Sequence, residues 1–346
     1  MRIRSSFSFL LFLLVPCTVL TAQPGCDDAS PHTRRFVEVE KGVRLEVLDW
    51  GGSGRPIVLL AGSGNTAHIY DDFAPKLTEL GHVYGITRRG FGASTHPQTG
   101  YSQQRLADDV LSVIQQMKLS KPVLVGHSMA GEELTSLGNE HSDLLSGLVY
   151  LAAGADPKDF PASDKEYMEL AHKLPKAMQG GPSPTDADHK SVGAMSRWLS
   201  NRLHVPFPIG EICASNVITP QGRVEDFPND DLIHTMIGDG AEKRDYSRIS
   251  VPILDFVDSD CPTHSLPDVT CLRNQQLSYQ PKDDQERNAI DAFWSATDVY
   301  IYRWMDQMRK AKGHVRFIDI PRSNHYVFLS NTSAVIRELE SFLKQL

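Results

Sequence analysis

The chain has 346 residues, 40% of them hydrophobic, with 35 Lys+Arg against 43 Asp+Glu and a formal net charge of −8. That length suits one large α/β domain with an insertion, or two small domains. Mild acidity without a block of like charge argues against nucleic acid or an anionic membrane surface as partner, and leaves small molecules open.

In chain order, residues 1–22 read as an export signal. Arg2 and Arg4 precede an apolar run from Phe7 to Val15, Pro16 breaks it, and Val19-Leu20-Thr21-Ala22 offers a cut after Ala22. The run is shorter than the roughly 20 residues of a spanning helix. The expected location is therefore secreted or periplasmic, with no stable membrane insertion; an uncleaved N-terminal anchor is the alternative. Export puts Cys26, Cys213, Cys261 and Cys271 in an oxidising compartment. Three pairings are open, and a local Cys261–Cys271 bridge would leave Cys26 to Cys213. No C-x-x-C or paired-histidine spacing is present, which disfavours zinc.

Arg35 to Glu40 and Val43 to Asp49 alternate as a hairpin around Lys41-Gly42. Pro56 to Ala61 is a buried strand that runs into Gly62-Ser63-Gly64-Asn65, and an amphipathic helix is expected from Asp71 to Leu80. His82 to Thr87 is the next strand and Tyr101 to Lys118 the next helix. Strand Pro122 to Gly126 then turns through His127-Ser128-Met129-Ala130-Gly131 into another helix, and Leu148 to Ala153 is again strand-like. Strand alternating with helix signals a parallel α/β sheet. The rhythm breaks from Asp156 to about Ser250, a polar, proline-containing helical stretch. It resumes with strand Val251 to Val257, a long helix from Asp283 to Lys312, strand Val315 to Ile320 and a helix from Ser333 to Leu346. The division expected is signal peptide 1–22, core 23–155, helical insertion 156–250 and core 251–346. An insertion at that point lies above the carboxyl ends of the strands, where open α/β sheets bind ligands, and reads as a lid.

One stretch carries the chemistry. A β-branched strand ends at Gly126, Ser128 follows two residues later, and small residues at 126 and 130 let strand and helix approach closely. Ser128 then sits at the apex of a strained turn, beside the free N–H groups of a helix start.

With Gly62-Ser63-Gly64, Arg89-Gly90-Phe91-Gly92-Ala93-Ser94, Gly126-His127-Ser128-Met129-Ala130-Gly131 and Ser323-Asn324-His325 in this order, the chain resembles the α/β-hydrolases. The resemblance implies a mostly parallel eight-stranded sheet flanked by helices, with a helical lid after strand 6. It implies Ser128 as nucleophile and His325 as its base, on the loop after the last strand. The orienting acid is implied to follow strand Ile253 to Val257, where Asp260 fits best and Asp258 is close behind; Asp156 is a variant placement. Asp255, inside the strand, reads as structural. Backbone N–H groups of Ser63 and Met129 are the implied oxyanion donors. Arg88 and Arg89 resemble a structural loop, with Arg89 expected to bond loop carbonyls and Thr87 replacing the usual acid. Glu132 and Glu133 suit the positive end of the helix after the nucleophile, without a catalytic role. His68, His127 and His264 read as surface or satisfied core residues, and Trp198, Trp294 and Trp304 as core before pocket.

The expected function is hydrolysis of a small-molecule carboxylic ester, or related acyl bond, through an acyl-enzyme, with no metal or organic cofactor. Ser128 sets the chain apart from the epoxide hydrolases and haloalkane dehalogenases of this fold, which use an aspartate nucleophile. Cofactor-free haloperoxidase or perhydrolase-like chemistry, a peptidase-like activity, and a non-catalytic binding member of the fold are the alternatives.

Overall fold

The computed structural model describes residues 25–346 except 27, 157, 159–164, 180–181, 229, 258–268 and 273–278. The signal reading, Asp258, Asp260, Cys261 and His264 lie outside the described residues.

Residues of strand propensity assemble one sheet, buried on both faces at its centre and largely exposed along its first strand. Its strands are β1 (Thr33–Glu40), β2 (Val43–Gly51), β3 (Pro56–Leu60), β4 (His82–Ile86), β5 (Val123–His127), β6 (Gly147–Leu151), β9 (Ile253–Val257), β10 (Val269–Cys271) and β11 (Val315–Asp319). Their spatial order is β1-β2-β4-β3-β5-β6-β9-β11-β10. The β1–β2 and β2–β4 pairs are antiparallel, and every other pair is parallel. The sheet has nine strands rather than the eight expected, because Val269–Cys271 pairs with the edge of β11. Three residues are too few to leave a periodic signal.

Period-2 alternation divides the core between the two faces. Leu59, Val125, Leu254 and Ile318 pack on one side with Phe328 and Leu339. Val58, Leu124, Ile253 and Phe317 pack on the other with Met305 and Met308. The covering helices are α1 (Gln103–Gln116), α2 (Gly131–His141), α7 (Asp284–Met308), α8 (Val327–Ser330) and α9 (Thr332–Leu343).

The helix expected over 71–80 is instead two 3-10 turns, Ala67–Tyr70 and Ala74–Leu77. Pro75 lacks the N–H that an α-helix would direct to the carbonyl of Asp71, and that carbonyl accepts from Ser30 Oγ at 3.0 Å. Between β6 and β9 lie α3 (Lys165–Lys173), α4 (Val192–Leu203), α5 (Ile209–Ser215) and α6 (Asp230–Gly240). A small hairpin of β7 (Asn216–Ile218) and β8 (Val224–Asp226) joins them. The sulfur atoms of Cys26 and Cys213 stand at 2.08 Å, tying the N-terminal arm to α5. Among the described residues no helix is long and apolar enough to cross a membrane.

Asp255 is buried within β9, and Trp304 Nε1 of α7 donates to its Oδ2 at 3.3 Å. Burial pushes its carboxyl up to about 7. A raised carboxyl stabilises the fold fully below the ordinary aspartate range, and that contribution is lost as pH rises through about 7. Asp255→Asn keeps an acceptor for Trp304 and removes the charge. Urea unfolding should find the variant more stable by about 1–3 kcal/mol near pH 8, with the gain shrinking as pH falls and vanishing only at about pH 3, below the ordinary aspartate range. Equal stability of the two proteins at the higher pH would contradict this account.

Candidate active site

The site grows from two adjacent strands. β3 and β5 pair in parallel with Leu60 beside Gly126, so their exits stand at one height. The chain turns to β4 on one side and to β6 on the other, which makes their carboxyl ends the switch point where open α/β sheets form a crevice.

After β5 the chain bends at Ser128, which has φ of +54°, a left-handed conformation that is strained for a residue bearing a Cβ. A 3-10 turn, Ser128–Ala130, then leads into α2. A side chain at Gly126 would come within 2.7 Å of Leu134 and 3.1 Å of Ala130, so close strand–helix packing requires the glycine. After β3, a Cβ on Gly62 would stand 3.1 Å from that of Ser128 and 2.8 Å from Nδ1 of His127. The Gly62-Ser63 backbone therefore lies against the serine. Met129 follows in the first turn, where N–H groups have no intrahelical acceptor.

His325 follows β11, three positions away from β5 in the sheet, and its loop returns across the carboxyl ends of β9 and β6. Its Nε2 stands 2.8 Å from Ser128 Oγ, the distance at which the hydroxyl donates to an unprotonated ring nitrogen. The imidazole opens toward solvent at one edge, yet the surrounding protein desolvates it and lowers its pKa. Asn324 Nδ2 donates to the carbonyl of Leu203 at 2.6 Å, and Asn324 Oδ1 accepts the N–H of Tyr326 at 2.8 Å. Asp156 is buried and occupied away from His325, accepting the backbone N–H groups of Lys158 and Arg244, each at 2.8 Å.

His127 is fully enclosed, and its Nε2 donates to the carbonyl of His325 at 3.0 Å. Burial, aided by the neighbouring His325, drives its pKa well below the ordinary value and keeps it neutral. It is a core histidine as expected but only half satisfied, since its buried Nδ1 has no hydrogen-bond partner, and through Nε2 it holds the loop that carries His325.

Arg88, not Arg89, bonds the loop carbonyls. Its Nη2 donates to Ala61 O at 2.9 Å and its Nη1 to Gly62 O at 3.3 Å, while Nε meets Glu133 at 2.6 Å. Arg89 forks onto Asp109 at 2.6 and 2.7 Å and reaches Glu40 at 3.1 Å. Arg88 precedes and Arg89 enters the turn closed by the Phe91 N–H on the Arg88 carbonyl at 3.2 Å, and the change of direction lets adjacent arginines serve different neighbours. Glu132 is buried beside Glu133, and burial pushes it up to about 7.

The insertion grips the same loop. Glu211 of α5, fully buried, accepts from Asn65 Nδ2 at 2.9 Å, from Thr66 Oγ1 at 2.6 Å and from the Thr66 N–H at 3.1 Å. Desolvation raises its carboxyl to about 7 against the pull of those donors. Tyr326 Oη donates to Asn65 Oδ1 at 3.2 Å. From α6, His234 Nδ1 stands 2.7 Å from Ser63 Oγ, and Ile233 packs with Phe91 and Met129. Beside these groups a cleft of about 350 Å³ is lined by Ser63, Asn65, Trp198, Arg202, Phe207 and Tyr326 among others. A larger groove of about 820 Å³ opens beyond the amino ends of the strands, near Pro56, His82 and Pro252, far from Ser128. Trp198 thus faces the cleft, Trp304 packs on the sheet, and Trp294 meets Phe293 edge to face.

The sequence model of the Alpha/beta hydrolase family matches residues 57–338. This chain belongs to that family. The chain is 30% identical to epoxide hydrolase A of Mycobacterium tuberculosis over 130 residues, 36% of this chain and 40% of that protein. It is 35% identical to a putative non-heme chloroperoxidase of Synechocystis over 103 residues, 29% and 37% of the two chains. The matches thus span about two fifths of those relatives. Among solved structures, E-2-(acetamidomethylene)succinate hydrolase superposes with a TM-score of 0.61 at 15% identity, covering 90% of this chain and 99% of that one. Est816, an N-acyl homoserine lactone degrading enzyme, gives 0.52 at 19% identity, covering 89% and 100%. At those identities the likeness speaks to fold.

Arg88→Met would leave Glu133 buried without a countercharge, and chemical denaturation should show a loss of about 3–5 kcal/mol. Arg88→Lys preserves the charge but not the planar fork onto two carbonyls. It should fold and lose on the order of tenfold in kcat. Unchanged turnover in the lysine variant would show that the site does not need those two bonds.

Proposed function

We propose that the protein is a serine hydrolase that cleaves a carboxylic ester or related acyl bond of a small molecule through an acyl-enzyme. The observation that carries this reading is the pairing of a left-handed Ser128 with His325 Nε2 at 2.8 Å, at the carboxyl edge of the sheet. As the substrate carbonyl is attacked, His325 takes the Ser128 proton, and the oxyanion meets the N–H groups of Ser63 and Met129. His325 then protonates the leaving group, deprotonates a water, and the acyl group departs. Asp260, after β9, is our choice for the carboxylate that orients His325. Segment 156–250 acts as a lid, with α4 and the end of α5 bordering the cleft. The N-terminal segment and the Cys26–Cys213 crosslink are those of an exported protein.

A second reading, perhydrolase-like chemistry, draws on the relatives named non-heme chloroperoxidase. It uses the same acyl-enzyme, with peroxide in place of water. The amide-type and lactone-degrading names among the structural neighbours set the other substrate panels.

A serine-directed fluorophosphonate should label the protein once, and Ser128→Ala should abolish labelling and lower kcat on p-nitrophenyl esters by on the order of 10⁴-fold or more. Graded acyl lengths, run beside lactones, amides and a peroxide-dependent halogenation assay, assign the substrate class. Turnover of amides with none of esters would defeat the ester reading. Catalysis needs a neutral His325, whose pKa is lowered by burial. The acid limb of kcat/KM should therefore fall below the ordinary histidine value of about 6.5. A limb lying clearly above that value would count against His325 as the base.

A further inference from the structure

On the flank of the sheet, near the start of α5, four side chains from two segments converge. Asp28 and His32 come from the N-terminal arm, and His68 and Asp71 from the first 3-10 turn after β3 and its cap. Their ligand-type atoms all lie within 4.8 Å of one another. His32 Nε2 stands 2.8 Å from Asp28 Oδ2 and 3.5 Å from Asp71 Oδ1. His68 Nδ1 stands 3.2 Å from Asp28 Oδ2 and 3.0 Å from Asp71 Oδ2. Histidine and aspartate side chains therefore alternate around a ring, which Asp71 closes with Oδ1 toward His32 and Oδ2 toward His68. A tetrahedron drawn about a zinc ion with bonds of about 2.0–2.1 Å has edges near 3.3 Å. The four nitrogen–oxygen distances, which involve both oxygens of Asp71, scatter about that length.

Three further features point to a ligand inside the ring. Asp71 is 5% exposed, and its Oδ1 accepts no hydrogen bond although it faces the cluster. Glu46, also buried, holds Oε1 at 3.9 Å from His68 Nε2 and without a hydrogen bond. A carboxylate behind the far nitrogen of a ligating imidazole is the usual outer partner of a metal-bound histidine. Lastly, a Cβ on Gly210 would stand 2.1 Å from Asp71 Oδ2 and 3.2 Å from His68 Nδ1, so α5 closes over the cluster with bare backbone. The arm itself is braced, since Trp50 Nε1 donates to Ser30 Oγ at 2.9 Å and Ser30 Oγ donates to Asp71 O.

We propose that Asp28, His32, His68 and Asp71 bind one divalent transition-metal ion of the zinc type, a structural site that fastens the N-terminal arm beneath α5. Two imidazoles and two carboxylates suit zinc better than calcium or magnesium, which prefer all-oxygen shells. Four protein ligands leave no open position for substrate, so the ion takes no part in the chemistry at Ser128. It also offsets buried negative charge that two imidazoles would otherwise have to neutralise by holding protons. Gly210 precedes Glu211, which clamps Asn65 and Thr66, so metal occupancy would stiffen the segment that follows the Gly62-Ser63 loop.

The test uses the untagged full chain, stripped with a chelator and titrated with Co²⁺ and with Zn²⁺. The expected result is one equivalent bound, a visible Co²⁺ spectrum of tetrahedral intensity, and a Tm that rises on metal addition. His68→Gln and Asp71→Asn should abolish the spectrum, and Glu46→Gln should weaken affinity by at least about tenfold. Because the buried variants can misfold, the arm pair Asp28→Asn/His32→Gln, whose side chains are 25% and 11% exposed and which is checked by circular dichroism, serves as the deciding variant. The proposal is overturned if the stripped wild type takes up no more metal than that double variant. It is equally overturned if Co²⁺ gives only an octahedral spectrum, or if Tm ignores the metal; the cluster would then be a proton-holding ion-pair network. Labelling of Ser128 by a phosphonate is read separately, so neither result depends on the other.

Discussion

The parallel register of β3 against β5 is the constraint on which the site rests. Leu60 lies beside Gly126, so both strands end at the same level and the turns that follow are forced into contact. One turn places Gly62 against the Cβ of Ser128; the other forces Ser128 into a left-handed backbone. A parallel register is held by evenly spaced hydrogen bonds along the whole strand, so the closeness of these turns is backed by the full sheet core. His325 depends on the same frame, because its loop leaves β11 at the same edge of the sheet and must span the ends of β9 and β6 to reach Oγ.

Polar groups buried around that contact convert proximity into a fixed geometry. Arg88 uses all three of its donor nitrogens, on Ala61 O, Gly62 O and Glu133, and so joins the turn after β3 to the helix after β5. His127 does the same for the loop of His325, and Glu211 for Asn65 and Thr66. Each is a charge or polar ring taken out of water, which is costly unless every donor finds an acceptor. Such groups therefore tolerate little displacement, and the backbone N–H groups near Ser128 inherit that rigidity. The insertion takes part through Glu211, His234 and the Leu203 carbonyl, so it belongs to the wall of the cleft as well as bordering it.

Local patterns account for much of this. The alternating apolar runs of β1 to β6, β9 and β11 and the spacing of Leu106, Val110 and Val113 place those elements within a residue or two, since each buries a regular face. Errors arose where a single residue or a short pairing decided the outcome. Pro75 turned an amphipathic pattern into 3-10 turns, and three residues at Val269–Cys271 extended the sheet. Arg88 and Arg89 were legible as a structural pair, but which of them faced the loop carbonyls depended on which side of the chain the loop lay. Glu211 carried a faint signal, as a lone acid between Ile209 and Ile212, and His127 another, as a polar ring ending an apolar strand.

By itself the sequence determined the α/β alternation and the turn at Ser128, because these follow from local period and residue size, whereas His325 as candidate base came from the resemblance to the α/β-hydrolases. The tertiary structure alone decided that Oγ and Nε2 meet at 2.8 Å, that Arg88 rather than Arg89 braces the loop, and that Asp28, His32, His68 and Asp71 share one spot. The reason is one of range. Propensity and periodicity act over a few neighbouring residues, whereas these contacts join positions brought together only by the order of strands in the sheet and by the path of the segments that cross it.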